Sequence, residues 1–131
     1  MNKTYIAIGA ILAAVAVVFG AMGAHWLEEN ISMTDLQNFE TAVRYQMYHA
    51  LAILFLGLIQ RRFTGIMLHL AFHFFWIGSL LFSGSIYLLS TASFSGLYVN
   101  WLGPVTPIGG LLLILGWVLI TYTAIAQFKE D

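Results

Sequence analysis

The chain has 131 residues, of which 60% are hydrophobic and only 8% charged, against roughly a quarter charged in an ordinary soluble domain, so a water-soluble fold of this size could not clothe its surface. A formal net charge of -1, with the five Lys and Arg dispersed, offers no basic field for nucleic acid. The absence of cysteine excludes disulfides, thiolate metal sites, covalent c-type haem attachment and cysteine nucleophiles.

A membrane-crossing helix needs about 20 predominantly apolar residues, and the first such run is 5–24, with Lys3 as its only charged flank. A cleaved signal peptide competes for this segment, because Ala21 and Gly23 resemble the small residues before a cut. The run is longer than a signal-peptide core of about 7 to 15 residues. It also carries a packing stripe, Gly9, Ala13, Ala16, Gly20 and Gly23, at spacings of 4, 3, 4 and 3. Residues 25–40 hold Glu28, Glu29, Asp35 and Glu40 and form an expected loop outside the lipid. Thr34 followed by Gln37 resembles a capping box, which places the second helix at 35–59 with its first turns beyond the hydrocarbon. Ala42, Gln46, Ala50, Ile53 and Gly57 line one face of it, with His49 beside them.

The Arg61/Arg62 turn leads to a third apolar run, 66–89, about 36 Å long at 1.5 Å per residue. His69, His73, Trp76, Leu80, Ser83, Tyr87 and Ser90 recur along it at alternating helical spacing. Residues 90–106 form a second expected outer loop, with Tyr98 and Trp101 suited to the membrane interface. Thr106 as N-cap and Pro107 as the first helical residue open a fourth helix, 107–128. Its stripe is Gly109, Leu113, Gly116, Ile120, Thr123 and Gln127.

Lipid removes the hydrophobic drive between helices, so association rests on close backbone approach at small residues and on a few polar contacts. Stripes with a spacing of about 3.5 predict left-handed crossings near about +20°. The expected fold is therefore all-α: a single-domain, integral membrane, antiparallel four-helix bundle. Lys3, Arg61, Arg62 and Lys129 fall on one side and only Arg44 on the other. Positive charge favours the cytoplasmic side, which predicts cytoplasmic N and C termini in a multi-pass protein of the inner (plasma) membrane.

Glu40 and Arg44 stand four apart with the acid first, the favourable order for a helical ion pair. A guanidinium keeps donors beyond one carboxylate, so Arg44 is also a candidate contact for an anion or a lipid headgroup. Ionisable groups inside lipid are functional candidates. His49 lies 11 residues before Gln60 and His73 lies 11 after Arg62, so both sit at a matching depth of about 16 Å. A facing His49/His73 pair holding haem or a metal is geometrically admissible, while interhelical hydrogen bonds to Ser, Tyr or Gln would satisfy the same rings. His25 is expected to make a capping or loop contact. All the acids between residues 4 and 129 lie in the 25–40 segment, so the sequence lacks the intramembrane carboxylates of a proton pump. It also shows no nucleophile elbow or phosphate loop.

Four segments carry a family resemblance: GAMGAHWL at 20–27, TAVRYQMYHALA at 41–52, LLFSGSIYLL at 80–89 and LGPVTPIGGLLLILGW at 102–117. They resemble the domain of unknown function 423 family of small bacterial membrane proteins, to which eukaryotic transmembrane protein 256 is similar. The resemblance implies a four-helix inner-membrane protein. His25, Arg44, Gln46, His49, Ser83, Ser85, Thr106 and Pro107 fall inside these segments, and His69 and His73 fall outside them. The functional expectation is a non-enzymatic protein without cofactor. It would act by contact with membrane lipids, a larger membrane complex or further copies of itself, as an accessory subunit or a lipid-organising protein. The alternatives are a haem or metal protein using His49 and His73, and a small oligomeric channel or carrier.

Overall fold

Asn2 starts the first helix by accepting the backbone N–H groups of Thr4 and Tyr5 on its side-chain oxygen, which satisfies two of the donors every helix start leaves open. In the computed structural model, which describes residues 1–60 and 65–127, this helix α1 spans Lys3–Met22. It runs on into a π-helical turn, Gly23–Leu27. Helix α2 spans Met33–Ile59, α3 spans Ile66–Ser90 and α4 spans Val105–Gln127. Between α3 and α4 lie one helical turn, Ala92–Ser95, ended by Gly96 at φ 68°, and a 3-10 turn, Asn100–Leu102. The four long helices are each long and apolar enough to cross a membrane. The Arg61/Arg62 turn and Lys129 lie outside the described residues.

Three helices start two residues before the sequence-based expectation: α1 at Lys3 under its Asn2 cap, α2 at Met33 and α4 at Val105. The cap of α2 is Ser32 rather than Thr34: its Oγ accepts the Asp35 N–H at 3.1 Å and donates to the Asp35 carboxylate at 2.8 Å. This reciprocal pair starts the helix two residues early. Helix α4 begins at Val105, before Thr106 and Pro107. Pro107 still falls within the first turn, where its missing N–H costs nothing, and Thr106 turns its hydroxyl to Ser85 at 2.6 Å.

Packing follows chain order: α1 on α2, α2 on α3 and α3 on α4, with slight contact between α1 and α3. The start of α1 meets the end of α2, where the Asn2 N–H donates to the Gly57 carbonyl at 2.8 Å. Gly20, near the other end of α1, faces Val43. Ser83 of α3 reaches Ala42 of α2, and Gly78 and Gly116 bring α3 and α4 together at Leu113 and Phe75. The start of α1 thus lies beside the end of α2, and the later turns of α3 lie beside the start of α4. One core cluster, around Tyr5, Ile53, Phe72 and Phe75, fills the half nearer Asn2. A second, around Leu27, Leu36, Phe39 and Tyr87, fills the half nearer the 25–40 segment.

The glycines fall into two kinds. A Cβ on Gly9 would stand 3.0 Å from the Ala50 carbonyl oxygen, and one on Gly109 would stand 2.8 Å from the Phe82 Cα. On Gly116 it would stand 2.7 Å from a ring carbon of Phe75, which is wholly buried. These positions need glycine because another helix occupies the space. Gly20 differs, since its Cβ would meet only Val43, at an ordinary 3.4 Å. Ala16 is fully buried and Ala13 partly so. The stripe expected on α3 is its packing face only in its second half: Ser83, Tyr87 and Ser90 are buried, whereas Leu80 is 53% exposed and His69 is exposed too. Helix α3 has a neighbour on each side, so its buried residues, Phe72, Phe75, Gly78, Ser79 and Ser83 among them, wrap around more than one narrow stripe.

Candidate functional site

Each pair of neighbouring helices is tied by a buried polar side chain. Gln46, on the inner face of α2, donates from Nε2 to the Leu12 carbonyl of α1 at 2.8 Å, and its Oε1 accepts the Tyr87 hydroxyl of α3 at 2.9 Å. Ser83 donates to the Ala42 carbonyl at 2.8 Å. Ser85 bonds its own helix at Phe82 and reaches Thr106 of α4. In a hydrocarbon setting an unpaired polar group is costly, so these bonds fix which faces meet. The hydroxyl of Ser79 is the buried side-chain polar atom without a partner among the described residues.

His49 is 5% exposed. Its Nδ1 lies 2.7 Å from the Tyr45 carbonyl oxygen, and its Nε2 lies 3.1 Å from the indole Nε1 of Trp117. A carbonyl only accepts, so Nδ1 carries the proton and Nε2 offers its lone pair to the indole N–H. Both ring nitrogens are in use. His73 belongs to a different group, at the Asn2 end of the helices. Trp76 donates to its Nδ1 at 3.0 Å, its Nε2 lies 3.1 Å from Nε2 of His69, and Nδ1 of His69 meets the Tyr5 hydroxyl. The structure does not bring His49 and His73 together, and the facing pair admitted by their equal depth is absent. Sequence reasoning missed Trp117 as the partner of His49. The only signal was its place at the end of the fourth family-like segment.

At the opposite end, α1 and α2 leave an open groove of about 300 Å³ lined by Phe19, Gly20, Gly23, Phe39, Glu40, Val43 and Arg44. Glu40 and Arg44 stand at its edge, 4.0 Å apart, with their side chains 49% and 55% exposed. That separation is the outer limit of an ion pair, and exposed pairs of this kind contribute little. Arg44 also donates to Thr41 Oγ1 at 3.2 Å, leaving further N–H groups of its guanidinium available. A second cleft, of about 290 Å³, opens between α1 and α3. Its walls are almost wholly apolar, and Trp26 and Phe94 meet edge-to-face at 4.8 Å on its border. His25, in the π-helical turn, is exposed, and so is Pro107.

A family model described as protein of unknown function (DUF423) matches residues 19–110, the stretch that contains the groove and the ties through Gln46, Ser83 and Ser85. The chain belongs to the DUF423 family. Relatives extend the likeness over almost the full length. A UPF0382 membrane protein of Staphylococcus aureus (strain bovine RF122) is 42% identical over 127 residues, 97% of each chain. One from Staphylococcus epidermidis is 42% identical over 118 residues, 90% of this chain and 92% of its own. The UPF0382 membrane protein YwdK of Bacillus subtilis is 40% identical over 124 residues, 94% of this chain and 97% of its own. No solved structure matches. The DUF423 relatives are named as membrane proteins, in keeping with the four apolar helices found here, and none of these names carries an enzymatic activity.

Proposed function

We propose that this DUF423 protein is a non-enzymatic protein of the inner (plasma) membrane that organises lipid by direct contact, with its termini on the cytoplasmic side. The observation that supports this reading is the division of labour between the two kinds of polar side chain. Gln46, His49, Ser83 and Ser85 are each committed to a hydrogen bond between helices. Glu40 and Arg44 stand half-exposed over an open groove. The buried groups hold the helices together, and the open ones face the surrounding medium. Lipid is that medium on every side, against surfaces such as Val17, Leu111, Ile114 and Ile125, each more than half exposed.

The test is purification in a mild detergent, followed by mass spectrometry of retained lipid and by visible absorption. Stoichiometric phospholipid on a colourless protein is the expected result. A stoichiometric partner protein with no retained lipid would replace this reading with that of an accessory subunit. A haem band lost on His49→Gln would replace it with electron transfer.

A further inference from the structure

The groove between α1 and α2 has a feature that helix packing does not explain. Where glycine lets two helices touch, a Cβ would collide with the neighbour, as at Gly9, Gly57, Gly78, Gly109 and Gly116. At Gly20 and Gly23 it would not: the nearest atoms are Val43 Cγ1 at 3.4 Å and Phe39 Cδ1 at 3.5 Å. These two glycines are not required for the helices to approach. What they do is leave the floor of the groove empty beneath Glu40 and Arg44.

The rim has its own chemistry. Gly20 and Gly23 lie in the last turns of the apolar span Lys3–Leu27, so a bilayer crossed by that span would place Glu40 and Arg44, which share their groove, near its headgroups. A guanidinium there keeps its charge at the interface while its stem lies along apolar surface. It presents N–H donors suited to a phosphate. Glu40 adds an anionic acceptor one helical turn away. Arg44 is the only Lys or Arg between residues 4 and 60, whereas Glu28, Glu29, Asp35 and Glu40 all belong to this end. A ligand with net negative charge would therefore meet more repulsion than attraction, and a ligand carrying both signs would meet both.

Building on the lipid-contact reading, we propose that the groove is a binding site for a zwitterionic aminophospholipid. The phosphate sits on Arg44, the ammonium faces Glu40, and the start of an acyl chain lies over Gly20 and Gly23. The ammonium and phosphate of an ethanolamine headgroup are two carbons apart, which suits two side chains whose charged atoms are 4.0 Å apart.

Native mass spectrometry of the full chain, with matched-chain phosphatidylethanolamine, phosphatidylglycerol and diacylglycerol as probes, tests the assignment. Phosphatidylethanolamine should be retained in preference to the other two. Arg44→Gln should weaken retention of both phospholipids by roughly tenfold, the loss expected when one charge-assisted hydrogen bond is removed. Glu40→Gln should abolish the preference for ethanolamine over glycerol while keeping phospholipid bound. Gly20→Leu, which fills the floor, should lower phosphatidylethanolamine retention. If that variant does not fold, the two rim variants still decide the matter, because both positions are exposed. Retention of phospholipid without headgroup preference and unchanged in Arg44→Gln would overturn the site and leave the lipid-contact reading standing. No retained lipid in the unmodified protein would overturn both.

Discussion

The ring of His49 can hold its place only because two elements far apart in the sequence supply opposite partners. Tyr45, one turn earlier on α2, offers a carbonyl, and Trp117 of α4 offers an N–H. Removing the indole donor leaves a buried acceptor unpaired, a loss of about 1–3 kcal/mol in general and nearer about 1 kcal/mol for interhelical bonds in membrane proteins. Trp117→Phe should therefore lower thermal stability measurably in detergent. Combined with His49→Phe it should cost less than the sum of the two single changes, because either one already breaks the bond. A strictly additive pair would show that the contact carries no energy. His49→Gln should disturb folding more than His73→Gln, since His73 is only partly buried and lies outside the ties between α2 and α4. The place of His49 beside the small face of α2 was legible in the sequence. Its partner was not, because nothing in a one-dimensional pattern says which of the aromatic residues of α4 turns toward α2.

Helix packing rests on a small set of glycines, and sequence spacing does not separate the ones that are needed from the ones that are not. Gly9 and Gly20 belong to the same regular stripe on α1, yet Gly9 faces the Ala50 carbonyl oxygen at 3.0 Å from its would-be Cβ and Gly20 has room. Gly109 meets the backbone of Phe82, which cannot move aside as a flexible side chain can. Gly109→Ala should force α3 and α4 apart and destabilise the protein by about 1–3 kcal/mol, the usual cost of overpacking. Gly84, on α3, has no atom within 4 Å of a would-be Cβ, so Gly84→Ala should be neutral or stabilising by up to about 1 kcal/mol through helix propensity. Thermal denaturation of the two variants checks the contrast, and equal melting points would show that the α3/α4 approach is looser than it stands here. The four helices themselves were legible from apolar length alone. The face of α3 was legible only in part: Ser83, Tyr87 and Ser90 of its stripe are buried, but a helix with neighbours on two sides buries a broad surface, which a single 3.5-residue stripe through His69, His73 and Leu80 does not describe.

At the level of the whole molecule, the chain's two ends are distinguished by what they carry. The start of α1 and the end of α2 are fastened together by the bond from the Asn2 N–H to the Gly57 carbonyl and by the contact of the Asn2 and Gln60 side chains. Whatever side Asn2 occupies, Gln60 occupies too. Glu28 and Glu29 follow α1 at its far end, a full span away. Lys3, Arg61, Arg62 and Lys129 all belong, by sequence, to the Asn2 side when four spans alternate, against Arg44 alone on the other side. Short flanks rich in Lys and Arg stay cytoplasmic, so the Asn2 side is expected inside and the Glu29 side outside. The chain contains no cysteine, so a single introduced thiol reports its own position without background. In intact cells a membrane-impermeant maleimide should label Glu29→Cys and leave Gln60→Cys unlabelled until the membrane is opened. The reverse pattern would invert the orientation and move the groove of Glu40 and Arg44 to the cytoplasmic leaflet. Labelling of both in intact cells would mean that α2 does not cross the membrane, and, with Asn2 held beside Gln60, that α1 does not cross it either.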